Sequence, residues 1–151
     1  VLAGRFFEGL PGAQFLDARQ EQRLRDGLDL GACFWMNATD PASPCGLGLA
    51  AFAGKLPPRV PSTQLVFRGA ELVLVSKRNG KALSFACSPD DPDLPMLLGV
   101  FREWLGAVPG RAMITVQTIN GEAAPKSPFV EALRTVGFFR EHKELVLTRG
   151  Y

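Results

Sequence analysis

Three short segments with alternating apolar and polar residues form the clearest pattern along the chain, within residues 64–87. Such alternation is typical of strands, since successive side chains point to opposite faces of a sheet. Gly69-Ala70 suits the first connecting turn, and Asn79-Gly80 strongly favours a second. The pattern therefore predicts an antiparallel meander. Its predicted strands are Gln64–Arg68, Glu71–Lys77 and residues 81–87.

The two turns also predict the register of this meander. A two-residue loop at Asn79-Gly80 sets Arg78 opposite Lys81, and it sets Leu74 opposite Phe85. The first turn sets Leu65 opposite Leu74 and Phe67 opposite Leu72. One face is predicted to be buried, and it carries Leu65, Phe67, Leu72, Leu74, Leu83, Phe85 and Cys87. The other face, which includes Val66, Val73 and Val75, is predicted to meet solvent or a partner.

Helices are predicted on both sides of the meander. Asp91-Pro92 is typical of a helix start, and Gly106 is the predicted end of that helix. Ser127-Pro128 predicts the start of a second helix, which Gly137 ends. A weaker pattern predicts a third helix over residues 17–26. Further strands are predicted over residues 112–119, 138–140 and 145–148.

These elements predict an α+β fold. We expect a mostly antiparallel sheet, or a partly open β-barrel-like module, with two or three flanking helices. The 151 residues favour a single domain. No run reaches the roughly 18 apolar residues of a membrane helix, so no membrane partner is predicted.

Cysteine and histidine usage gives no sign of a metal site. Cys33, Cys45 and Cys87 include no C-x-x-C pair, and His142 is the single histidine. A structural zinc site needs about four ligands, so none is predicted. Free thiols favour a reducing compartment, and we therefore expect a cytoplasmic location.

Basic residues are concentrated in one part of the chain. The net charge is +2, yet residues 55–88 carry six basic residues and one acidic residue, a net charge of +5. Arg78 and Lys81 are predicted to face each other beside Lys77, and like charges placed opposite each other destabilise a strand pair. A phosphate partner explains this arrangement better than a solvated turn, which is the alternative. The predicted nucleic-acid-binding residues are Arg59, Arg68, Lys77, Arg78 and Lys81. Some of Arg111, Lys126, Arg134 and Arg149 would have to converge with them.

Two other functions remain open from the residues alone. A base-removing enzyme needs a carboxylate beside a pocket for an extruded base, and Asp40 and Glu122 are the candidates. A module that docks neighbouring domains would instead expose an apolar patch. Nucleotide binding is not expected. Five residues separate Gly48 from Gly54-Lys55 where a phosphate loop has four, and Leu56 replaces the hydroxyl residue that holds magnesium. We expect no cofactor in this fragment.

Three further stretches have a familiar order and spacing. The first is Gly4-Arg5-Phe6-Phe7-Glu8-Gly9 with Gly12-Ala13-Gln14-Phe15. The second is Ala38-Thr39-Asp40-Pro41, Arg59-Val60-Pro61 and Leu65-Val66-Phe67-Arg68-Gly69. The third is Ile119-Asn120-Gly121-Glu122, Ser127-Pro128, Ala132-Leu133, Gly137-Phe138 and Leu145-Val146-Leu147. Together they resemble the C-terminal part of the large helicase-related (Lhr) family of DNA helicases, although Ala13 stands where that family tends to have Glu.

The resemblance implies a β-barrel-like module that follows tandem winged-helix domains at the end of a long ATP-dependent helicase. We accordingly expect residues 1–151 to be a C-terminal fragment, which agrees with a chain that begins at Val1 without Met. The motor that binds and hydrolyses ATP would lie upstream. Such modules are similar to the DNA-contacting end of certain glycosylases that act on damaged bases. The implied role is an accessory nucleic-acid-binding domain in DNA repair, with DNA or RNA and the upstream domains as partners.

Overall fold

The computed structural model describes residues 18–27, 29–48, 52–107 and 111–149. Its helices are α1 (Ala18–Asp26), α2 (Leu94–Ala107) and α3 (Val130–Thr135). Its strands are β1 (Cys33–Asn37), β2 (Gln64–Arg68), β3 (Glu71–Lys77), β4 (Ala82–Phe85), β5 (Met113–Val116), β6 (Thr118–Ile119), β7 (Glu122–Ala123), β8 (Phe139–Glu141) and β9 (Glu144–Thr148). The predicted α+β class is confirmed. The first stretch of the family resemblance, residues 4–15, lies outside the described residues.

The strands form two sheets. The larger has the order β1-β2-β3-β4-β6-β7, and the smaller has the order β5-β9-β8. All neighbouring strands are antiparallel except β4 and β6, which run parallel. Within the described ranges, the larger sheet is open and β1 and β7 are its edges. The fold is therefore the mostly antiparallel sheet of the sequence prediction, not a closed barrel.

The main core lies between the two sheets and helices α2 and α3. Phe101 of α2 meets Phe138 edge to face at 5.3 Å between ring centroids, and Phe85 stacks on Phe129 at 4.2 Å. A smaller apolar cluster covers the other face of the larger sheet, where Leu65 and Phe67 pack. The prediction that this meander has a single buried face was therefore wrong, because its central strands are covered on both sides.

The register of the meander was predicted correctly beside both turns, but it shifts by one residue farther along β2 and β3. Leu74 pairs with Phe85 as expected. Phe67 also pairs with Leu72, but Leu74 pairs with Val66 and not with Leu65. Val73 is the extra residue on β3, which makes a β-bulge that lets Val73 and Leu74 both enter the main core.

Two predicted elements have different limits in the structure. Helix α2 starts at Leu94, because the Asp91 carboxylate accepts the Asp93 N–H at 2.9 Å and forms a separate turn. Gly106 lies inside this helix. The single strand predicted over residues 112–119 is divided between two sheets. The N–H groups of Gln117 and Thr118 both donate to the Lys81 carbonyl, at 2.8 and 3.1 Å, and carry the chain across.

The predicted start of α3 at Ser127-Pro128 was wrong. The helix begins at Val130, because Ala124–Lys126 forms a separate 3-10 turn that Ser127 ends.

The end of α3 and the closing hairpin agree with the prediction. The N–H of Phe138 donates to the Leu133 carbonyl at 3.1 Å, and the N–H of Gly137 donates to the Arg134 carbonyl at 3.0 Å. This pair of bonds closes α3, and it requires left-handed backbone at Gly137, whose φ is +105°. The closing hairpin of β8 and β9 is confirmed to within a residue or so at its ends.

Candidate nucleic-acid interface

The turn between β3 and β4 presents three cationic side chains. Lys77 ends β3, Arg78 begins a single turn of 3-10 helix, and Lys81 follows that turn. All three are exposed. Lys77 pairs with Ala82, so the predicted register holds here, but Arg78 and Lys81 belong to the turn and not to the strands. We call Lys77, Arg78 and Lys81 the hairpin cations.

This turn is anchored to the rest of the molecule. Gly80 is buried, and a Cβ there would lie 2.6 Å from Cγ2 of Ile114. The N–H of Asn79 donates to the Ser62 carbonyl at 2.9 Å. The Lys81 carbonyl accepts the two bonds that carry the chain into β6. The backbone that carries the hairpin cations is therefore held in place by these contacts.

The backbone of the turn is strained at one position. Arg78 has a φ of +53° and Asn79 has a φ of +58°. Asparagine adopts this left-handed conformation readily, whereas arginine does so uncommonly. Such strain persists only where the surroundings impose it, and it is frequent at binding sites. The conformation at Arg78 is thus consistent with a functional turn.

The hairpin cations have no counter-charge in the described part of the chain. Their side chains make no ion pair and no hydrogen bond with another described residue. Three positively charged side chains within five residues of chain are therefore exposed to solvent. An anion that approaches this turn displaces no partner that belongs to the described residues.

Arg59 lies near the same end of the larger sheet but has a different environment. Its guanidinium donates to the carbonyls of Thr39 at 3.0 Å, Asp40 at 3.2 Å and Cys45 at 3.4 Å. These bonds tie the segment after β1 to the segment before β2. Arg59 therefore has a structural role, which is to hold these two segments together.

Arg68 lies at the opposite end of β3 from the hairpin cations. The seven residues of β3 separate the two ends by roughly 20 Å. Arg68 forms ion pairs with Asp91 at 3.0 Å and with Asp93 at 3.2 Å, and Glu71 lies at 3.7 Å. The bond to Asp91, and to a smaller extent that to Asp93, raises the pKa of Arg68. The structure does not bring Arg68 together with the hairpin cations, and its charge is already compensated.

The same cluster predicts a stability change in acid. The N–H of Asp93 and the Arg68 guanidinium hold the pKa of Asp91 below its usual value. The ionised carboxylate therefore stabilises the fold above about pH 4, and this contribution is lost as the pH falls through the lowered pKa. We expect Asp91→Asn to lower the thermal unfolding midpoint at pH 7 and to differ less from the wild type near pH 2. The exposed neighbour Asp90, changed to asparagine, is the control, and an equal pH dependence for both variants would contradict this assignment.

The two candidate catalytic carboxylates are far apart. The Asp40 carboxylate accepts the Ala42 N–H at 2.8 Å and closes a local turn. Glu122 is exposed on edge strand β7. Asp40 follows the opposite edge strand β1, so the two carboxylates belong to opposite edges of this sheet. Neither lines the cleft of about 610 Å³ beside Arg68 and Cys87. The structure therefore does not bring these carboxylates together.

Among the further basic residues, the structure brings Arg111 to the turn. Its Nη2 donates to Oδ1 of Asn79 at 3.5 Å. Arg134 instead pairs with Glu131, and Arg149 donates to the Gly106 carbonyl. Nothing local in the sequence distinguishes Arg111 from these two, because Asn79 lies 32 residues before it.

The described residues offer neither a metal site nor a membrane-spanning helix beside this turn. In the described ranges, no cluster of three or more histidine, cysteine or acidic side chains could hold a metal ion. No helix among the described residues is long and apolar enough to cross a membrane. Comparison with models of protein families and with curated proteins finds no match for this chain. The geometry of the turn is therefore the basis for assigning a function.

Proposed function

We propose that this chain is an accessory nucleic-acid-binding domain of an Lhr-family ATP-dependent helicase that acts in DNA repair in the cytoplasm. The observation that carries the proposal is the set of hairpin cations, which are exposed and have no counter-charge among the described residues, on an anchored turn. The ligand is the phosphate backbone of DNA or RNA. The family assignment rests on the sequence resemblance described above.

Phosphate contact by these cations is favourable because it releases counterions from the nucleic acid. Such contacts position a protein on the backbone and do not read bases, so binding is expected to be independent of sequence. A small basic surface of this kind binds weakly by itself, with dissociation constants of roughly 10⁻⁴ to 10⁻⁶ M at physiological salt. Upstream winged-helix and helicase domains would supply the remaining contacts.

Reversal of two charges at the turn tests this proposal. We expect Arg78→Glu with Lys81→Glu to weaken binding of duplex DNA and of single strands alike. Two lost phosphate contacts lower the slope of log affinity against log salt by about 1.8 for a duplex and about 1.4 for a single strand. The measurement is a fluorescence-anisotropy titration at several salt concentrations.

A matched control has the same charge change in the other hairpin. Arg140 and Lys143 are exposed beside the turn between β8 and β9 and pair with no carboxylate in the described part of the chain. Changing both to glutamate is expected to leave the salt slope close to that of the wild type. If the hairpin variant also keeps its affinity and slope, the turn does not bind nucleic acid. The docking module then becomes the better account. Its partner would be sought at the exposed Leu30, which precedes β1, and at Phe34 within β1.

A further inference from the structure

Arg111 occupies an unusual position behind the turn. Its guanidinium carbon lies 4.4 Å from the ring centroid of Trp104. Trp104 in turn lies under Gly80, since a Cβ at that glycine would be 3.6 Å from the indole ring. Arg111 also donates to Asn79, as described above. The stacked Arg111 and Trp104 side chains therefore lie directly beneath the backbone that carries the hairpin cations.

Two hydrogen-bond donors of this stacked pair have no acceptor. Nε1 of Trp104 and Nη1 of Arg111 are both buried, and neither bonds to any atom of the described residues. Buried donors are rarely left unpaired, since each loses its hydrogen bonds to water without a replacement. The other described tryptophan is different, because Nε1 of Trp35 donates to Glu103 at 3.1 Å. Two other described side-chain atoms, Oε1 of Gln64 and Oγ of Ser76, are also buried without a partner, but neither belongs to a charged group.

The charge of Arg111 is also uncompensated. Burial lowers its pKa, because the cation loses part of its hydration. No carboxylate in the described ranges forms an ion pair with it. Arg68, which is also only partly exposed, has three acidic neighbours. Stacking on an aromatic ring offsets only part of the cost of desolvating a cation.

We propose that Arg111 and Trp104 form an anion-binding site whose ligand is a phosphate group. A phosphate oxygen supplies both the missing acceptor and the missing negative charge, and the planar guanidinium matches its geometry. Arg111 is only half-buried, and its Nη2 reaches Asn79 of the exposed turn. This inference rests on the proposed function where it takes the phosphate to be that of a nucleic-acid backbone held by the hairpin cations.

The test follows the two indole N–H signals by nuclear magnetic resonance during titration with inorganic phosphate. We expect a saturable shift of the Trp104 signal and little change at Trp35. Sodium chloride at matched ionic strength should not reproduce the shift. Arg111→Met should abolish it, whereas Arg140→Met, the same substitution on the distant hairpin, should preserve it. An unchanged Trp35 signal reports that each variant is folded.

The outcomes separate this inference from the proposed function. A Trp104 shift that chloride reproduces, or that persists in Arg111→Met, overturns the anion site. If the site is also part of the nucleic-acid surface, Arg111→Met lowers the salt slope by about 0.9 for a duplex. An unchanged slope in a protein that does bind nucleic acid overturns that assignment. One further outcome is that phosphate binding depends on Arg111, while nucleic-acid affinity is unchanged when the hairpin cations are replaced. This result supports the anion site and overturns the proposed function.

Discussion

Replacing Phe101 with alanine is expected to lower the free energy of unfolding by about 3–5 kcal/mol. Phe101 is 1 % exposed and lies in α2 between Trp104 and Phe138. Its removal takes apolar area out of the core and leaves a cavity that neighbours from different elements cannot all close. Since domains are stable by only about 5–15 kcal/mol, this is a large fraction of the total.

The measurement is urea unfolding followed by circular dichroism. Phe139→Ala is the control, because this neighbouring phenylalanine is 45 % exposed on edge strand β8 and loses far less contact on truncation. Its expected cost is below about 1 kcal/mol, which is typical of exposed positions outside special features. Equal midpoints for the two variants would show that the core is not organised around Phe101.

Gly80→Ala is expected to destabilise the protein by about 2–6 kcal/mol. The φ of +103° accounts for about 1–3 kcal/mol of backbone strain. The new methyl group would lie 2.6 Å from Ile114, which is itself buried and cannot move aside, and such overpacking adds about 1–3 kcal/mol. The turn would have to shift outward and lose its contact with Trp104.

A second glycine separates the two contributions. Gly121 has a φ of +85°, and a Cβ there would meet nothing within 4 Å. Gly121→Ala should therefore show only the strain, about 1–3 kcal/mol. The difference between the two variants measures how tightly the turn packs on Ile114. If Gly80→Ala costs no more than Gly121→Ala, the turn is not anchored as described.

The turn at Asn79-Gly80 and the end of α3 could be predicted from the sequence because their causes are local. Gly137 ends α3 through its own left-handed backbone and through hydrogen bonds that reach back at most five residues. Asn79-Gly80 likewise turns the chain between β3 and β4. The prediction failed at residues 112–119. There the break depends on the Lys81 carbonyl, which lies more than thirty residues away.

The buried faces of the meander are a second feature that the local sequence pattern could not predict. Alternation predicts one core face, but β2 and β3 are covered on both sides by segments distant in the chain. Once both faces are buried, apolar residues are favourable on either, and alternation no longer specifies the register. The β-bulge at Val73 therefore follows from packing and could not be read from the residues of the strand.

The candidate site, like the fold, could be predicted only in part from the sequence. The sequence determined that cations are concentrated near Asn79-Gly80, because the hairpin cations lie within five residues of one another. Only the tertiary structure decided which basic residues keep an uncompensated charge. Arg68 is neutralised by Asp91 and Asp93, 23 and 25 residues away, while Arg111 reaches the turn without any carboxylate in the described ranges. The residue type sets the charge of a side chain, but the folded structure determines which opposite charge lies near it. The reason is that ion pairs depend on distance in space and not on distance along the chain.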